Sequence, residues 1–187
     1  PRNSPRLARY PVGAPSRIVG PFGHRPPLSL AIDGFLASIT NPGGEAWQFG
    51  YPEGGLLTSS INPNNHASSY DYDSVGRLIK TEDAVGVGHT LARTELENGY
   101  QVSRTTVLGR TTSYSVEDLA TGDRAMTTNF PDGTSASVLI KTNGSQTLSL
   151  PDGSIEVAQS GPDPRFGMQS PYIENRSVTF PGGLELL

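Results

Sequence analysis

The chain contains no cysteine, which excludes a disulfide framework, a thiol nucleophile and a thiolate metal site. Histidine is scarce. His24, His66 and His89 are the full complement, and none stands in the His-x-x-x-His or His-Glu pairing that a zinc enzyme uses. No serine lies in a Gly-x-Ser-x-Gly elbow, so the exposed nucleophile of a hydrolase is missing. No apolar run approaches the roughly 20 residues that cross a bilayer, and no stretch reads as a signal peptide. Lys and Arg number 14 against 18 Asp and Glu, a net charge of −4. That argues against nucleic acid, whose affinity comes mostly from a concentrated basic patch. Hydrophobic residues are 34% and aromatics 7% of 187 residues, thin for a compact globule with a sizeable core. A curved sheet with one solvated face would give such numbers.

Turn formers are plentiful instead. Twenty-two glycines and 16 prolines, with few helix-forming runs, predict an all-β chain of short strands and many turns. A repeat organises them. A shift of 21 residues carries Pro42 onto Pro63, Phe49 onto Tyr70, Tyr51 onto Tyr72, Gly55 onto Gly76 and Leu57 onto Leu78. A fixed period of this length marks a stacked or wound array, in which each unit needs its neighbours to bury its apolar side. In Ser69-Tyr70-Asp71-Tyr72-Asp73 the rings alternate with carboxylates. On a strand this puts both rings on one face and both acids on the other. Asp73-Ser74-Val75-Gly76 then has turn chemistry, an early side-chain acceptor and a late residue tolerant of positive φ. Arg77 to Thr81 resumes as a second strand, so the unit reads as an antiparallel hairpin with an aromatic ladder.

Tyr72-Asp73-Ser74-Val75-Gly76-Arg77-Leu78 resembles the Tyr-Asp-x-x-Gly-Arg-Leu core of the rearrangement-hotspot (Rhs) or YD-repeat family at every defined position. The preceding copy, Phe49 to Leu57, keeps Phe49, Tyr51, Gly55 and Leu57 but has Pro52 in place of the family's Asp and Leu56 in place of its Arg. The resemblance covers roughly residues 38 to 86. It implies a sheet of hairpins spiralling into a hollow shell, of which this chain is a wall segment. Similar shells encapsulate a toxic polypeptide in bacterial toxins and serve cell-surface adhesion in teneurins. The implied role is structural, with no chemistry and no cofactor. The implied partners are further repeats of the same shell or another chain paired through strand edges, together with a polypeptide cargo, and the implied location is secreted or at the cell surface. Rhs-type proteins often end in a self-cleaving module. Asp163-Pro164-Arg165-Phe166-Gly167 and Pro181-Gly182-Gly183-Leu184 have a faint likeness to its motif, but their order and spacing do not reproduce it, so protease activity is not carried over.

Three segments are expected. Residues 1–32 form a Pro/Arg-rich extended arm or linker, since the charged residues before Asp33 are all arginines, interleaved with prolines. Such an arm could bind an acidic partner, or serve as a linker that packs along the shell or connects to an upstream domain. Residues 33–86 hold the clear repeats, and 87–187 continue the sheet as divergent hairpins. Ser29 to Ile32 reads as a first strand and Ser160 to Pro171 as a broken loop. Thr111 to Val116 and Ala125 to Phe130 read as a hairpin joined through Thr121-Gly122-Asp123. Phe130-Pro131-Asp132-Gly133, Leu150-Pro151-Asp152-Gly153 and Phe180-Pro181-Gly182-Gly183 each place a tight turn after an apolar strand end. The chain opens at Pro1 without methionine and stops in the strand-like Leu184-Glu185-Leu186-Leu187, which reads as one or both ends cut from a longer polypeptide.

Rival chemistry is weaker. Asn65, His66, Asp71 and Asp73 could be drawn as a hard-metal cluster, but the strand period sends the acids to a wet face, and no metal ligand is assigned. Glu82-Asp83 and Glu117-Asp118 lie beside turns, where carboxylates cap rather than catalyse; a glycosidase needs two converging across a cleft. The sequons Asn143-Gly144-Ser145 and Asn175-Arg176-Ser177 matter only in a eukaryotic secreted protein. The alternative of another class is a carbohydrate-binding or carbohydrate-active β domain, with Trp47, Phe49, Tyr51, Tyr70 and Tyr72 as a sugar-stacking strip. Accessible ring faces would favour it, and rings packed between strands would favour the shell.

Overall fold

The computed structural model describes residues 6–11, 13, 15–20, 25–52 and 54–186. Every element among them is a strand, and no helical turn occurs. The chain divides between His89 and Thr90 into two compact units.

In the first unit β1 (Arg6–Arg9) and β2 (Pro15–Val19) pair as an antiparallel hairpin, and Arg17 bridges to Pro27. This pairing lies within the stretch read as an arm. A second sheet follows in strict sequence order: β3 (Leu28–Leu30), β4 (Leu36–Thr40), β5 (Ala46–Gly50), β6 (Ser59–Ile61), β7 (Ala67–Tyr72) and β8 (Leu78–Glu82). The first of these strands stops at Leu30 because Ala31 and Ile32 enter a turn, which shortens the strand expected over Ser29 to Ile32.

β9 (Gly88–Leu96) begins at the division. The second unit continues with β10 (Gly99–Thr106), β11 (Thr111–Asp118), β12 (Arg124–Asn129), β13 (Ser135–Ile140), β14 (Ser145–Ser149), β15 (Ile155–Asp163), β16 (Gly167–Thr179) and β17 (Glu185–Leu186), each paired with the next. The hairpin expected across Thr121-Gly122-Asp123 is β11 and β12, with Tyr114 opposite Thr128 and Val116 opposite Met126. Thr, Ser, Val and Tyr fill such strands because branched and aromatic side chains suit a pleated surface.

One expectation is overturned here. Ser160 to Pro171 is not a broken loop: β15 and β16 run through it, and the turn is confined to Pro164–Phe166. The register slips between Gln159 and Ser160 and again between Gly161 and Asp163. Bulges of this kind absorb Pro162, whose missing N–H a regular ladder would not tolerate.

Most turns among the described residues share one geometry. Eleven five-residue turns, opening at Ala31, Asn41, Asn62, Asp73, Asp83, Thr106, Leu119, Phe130, Lys141, Leu150 and Phe180, make the same two bonds. The first residue's N–H donates to the fifth residue's carbonyl, and the fourth residue's N–H donates to the first residue's carbonyl, all at 2.8–3.1 Å. This is the three-residue hairpin loop, a type I turn closed by a left-handed residue. Glycine holds that fourth place with φ between 76° and 87° in ten of the turns, and Asn65 with φ 60° in the other. Two strands and two such turns consume about 21 residues, which is the physical origin of the period.

Little is buried. Leu28, 8% exposed, is the one buried hydrophobic among the described residues, and no described side chain is fully enclosed. Within each unit the strands pack against their sequence neighbours, so stability rests on ladder hydrogen bonds and cross-strand pairs.

Candidate functional site

The YD turn is built around Asp73. Its Oδ1 accepts the N–H of Val75 at 3.0 Å and of Arg77 at 2.9 Å, while the Arg77 guanidinium donates to Oδ2 at 2.7 Å. The Arg77 backbone N–H and then its side chain hold the Asp73 carboxyl below its ordinary range. Gly76 takes φ 82°, and Leu78, half-buried, resumes the ladder opposite Tyr72. Asp73 is therefore a cap beyond the strand. The expectation that it shares the wet strand face with Asp71 is corrected; Asp71 alone lies there, across from Lys80.

The earlier copy departs where its sequence does. Pro52 has neither an N–H to close the five-residue turn nor a side-chain acceptor to cap it. Gly55 N–H still reaches the Pro52 carbonyl at 3.2 Å, with Gly55 at φ 77°. A Cβ on Gly55 would strike the Phe35 ring. Phe35 stacks on Tyr51, with centroids 5.3 Å apart and planes at 25°. Phe35 escaped sequence reasoning because it closes a turn rather than occupying a repeat position.

Tyr70 and Tyr72 are tied by their hydroxyls. Tyr70 Oη lies 3.1 Å from Ser60 Oγ, and Tyr72 Oη donates to the Leu57 carbonyl at 2.8 Å. Phe49 sits opposite Ser60. These rings, with Leu28, Ile39 and Trp47, share one face of the first unit by register. The other face carries Ser38, Gln48, Ser59, Ser69, Asp71 and Lys80, with Ile61 as its large apolar member. Phe49, Tyr51, Tyr70 and Tyr72 are half-buried, whereas Trp47 is exposed. A strip of open ring faces for a sugar chain is thus not formed by the five residues, which removes the carbohydrate alternative.

The second unit repeats this two-sidedness more regularly. Across its strands runs the row Tyr100, Val116, Met126, Val138, Leu148, Glu156, Val178 and Leu186. One residue along, on the opposite face, runs Gln101, Ser115, Thr127, Ser137, Ser149, Ile155, Thr179 and Glu185. Glu156 is neutralised within the apolar row by Arg176, whose Nε and Nη2 donate to it at 2.7 and 2.8 Å. Hydroxyls pair on the wet face, as in Thr105 Oγ1 to Thr111 Oγ1 at 2.8 Å.

The remaining candidates fall apart spatially. His66 ends the turn before β7 and Asp73 opens the turn after it, so a six-residue strand of about 20 Å separates them. Among the described residues no group of His, Asp or Glu could hold a metal; His24 lies outside them. Asp83 caps its own turn, Glu82 pairs with Lys80 at 2.7 Å and Asp118 with Arg124 at 2.7 Å. Asp163 Oδ1 accepts the N–H groups of Arg165 and Phe166 at the β15–β16 tip, again a cap. No described helix is long and apolar enough to cross a membrane.

Sequential hairpins, a capped YD turn and a two-faced sheet define a YD-repeat shell protein. A family model described as Teneurin YD-shell matches residues 14–181, and the chain belongs to that family. It is a structural, non-enzymatic β-shell domain. No curated protein matches it.

Proposed function

We propose that this chain is a wall segment of a secreted or cell-surface YD shell, which encapsulates or presents a polypeptide by laying its aromatic, apolar face against it. The carrying observation is the row from Tyr100 to Leu186, apolar but for a neutralised Glu156 and backed by a mostly polar row in which serines and threonines are interrupted by Gln101, Ile155 and Glu185. Met126 in that row is 41% exposed, as is Tyr114 on the same face. An apolar face of this extent calls for a covering surface. Pairing with further repeats or another chain through strand edges belongs to the same reading. Toxin delivery and cell-surface interaction both remain within it, since each needs the same wall.

The absence of cysteine makes a labelling test clean. Val138→Cys and Ser137→Cys place one thiol on each face of β13. With a reduced and alkylated unfolded polypeptide added, maleimide labelling at position 138 should slow at least several-fold while position 137 is unchanged. Equal labelling of both positions with and without the polypeptide would sink the proposal.

A further inference from the structure

Trp47, the chain's single tryptophan, borders a depression of about 280 Å³ in the first unit, walled also by Asn62, His66, Ser68, Asp83 and Val85. The residue is 45% exposed. The polar groups around it are half engaged. Asp83 Oδ1 accepts the N–H of Val85 at 3.0 Å and of Val87 at 2.8 Å, which leaves Oδ2 available. Asn62 Oδ1 is likewise taken by the N–H groups of Asn64 and His66. No lysine or arginine is among the lining residues.

The second unit displays what an aromatic ring beside a carboxylate accepts. There the Arg93 guanidinium lies over the Tyr100 ring, 3.8 Å from its centroid, and its Nε and Nη2 donate to Glu95 at 2.6 and 3.0 Å. A planar guanidinium satisfies both partners at once, stacking on the ring and presenting a fork to the carboxylate. Trp47 and Asp83 offer the same pair of groups across a depression open to an outside cation. The volume falls below the roughly 300–1,000 Å³ of pockets that hold drug-sized ligands. It suits one side chain.

We propose that this depression is a subsite for an arginine side chain of the polypeptide that the wall holds. The proposal rests on the reading that a polypeptide lies along the aromatic face, and it adds a sequence preference to an otherwise apolar contact.

Trp47 emission reports directly on occupancy. The full chain is titrated with acetyl-arginine methylamide, and with acetyl-citrulline methylamide as its uncharged isostere. Arginine should give a saturable change at least about threefold tighter than citrulline, the scale of an exposed cation–π contact. Asp83→Asn removes the charge but keeps the cap, because Asn41 and Asn62 cap equivalent turns through the same oxygen. It should narrow the preference to what the Trp47 ring alone confers. Asp71→Asn, on the opposite face, should leave the preference intact, which separates the subsite from general attraction to a chain of net charge −4. Equal binding of both probes by the unaltered chain, a preference untouched by Asp83→Asn, or no saturable response would each overturn the subsite. Protection of position 138 by the unfolded polypeptide, with no arginine preference, would leave the wall reading standing and remove the subsite alone.

Discussion

At the scale of single residues, the fold depends on one recurrent demand, a left-handed residue in fourth place of each five-residue turn. Gly76 meets it at φ 82°, where any Cβ costs about 1–2 kcal/mol and a branched one more. The Asp71 carboxylate is exposed and lies across from Lys80, which pairs with Glu82 instead, and a solvated carboxylate of this kind contributes little. Gly76→Val should therefore destabilise by at least about 1 kcal/mol more than Asp71→Ala. Chemical denaturation of the two variants reads this as a difference in midpoint, and coincident midpoints would mean the turn is misassigned. The sequence displayed this chemistry openly, because Asp73, Gly76 and Arg77 act within five residues of one another. Phe35 was hidden for the opposite reason: its partner Tyr51 is brought to it by pairing between strands.

At the scale of the element, one turn is capped in two ways. Asn41, Asn62, Asp73 and Asp83 cap from the first place, accepting the N–H groups of the third and fifth residues. Asp132, Asn143 and Asp152 cap from the third place, accepting the N–H of the fifth. The change of cap is why the seven-residue motif fades in sequence after Gly86 while the turns themselves persist. The second place often holds proline, as at Pro42, Pro63, Pro131, Pro151 and Pro181, whose fixed φ suits the first central position of a type I turn. Ser74 holds that place in the YD turn, and Asp73 before it is in the role that Asn41 and Asn62 fill before their prolines. Ser74→Pro should stabilise by about 0.4–1 kcal/mol, chiefly by restricting the unfolded chain. Thermal melting that shows a loss would refute the common geometry. Alternation made β7 and β11 legible as strands. β15 and β16 were not legible across Ser160 to Pro171, because glycine and proline there signal a loop by composition, yet Gly161 and Pro162 sit at a bulge within the ladder.

At the scale of the whole molecule, the two-sided rows set the behaviour of the free chain. A row such as Tyr100 to Leu148, with Met126 41% exposed, presents apolar area to water that a second copy can cover, at roughly 25 cal/mol per Å² removed. Net charge of −4 is a modest barrier to such contact, and salt screens it further. The chain should therefore self-associate as its concentration rises, through the apolar face, with association strengthened by salt. Met126→Lys places a charge that the contact would have to desolvate, and it should weaken association by about tenfold, equivalent to 1.4 kcal/mol. Thr127→Lys puts the same charge on the hydroxyl face and should change association little. Both positions are adjacent in β12, so a general effect of added charge would move them together. Native mass measurement across a dilution series separates the cases: equal weakening by the two variants would place the contact elsewhere than on the apolar face.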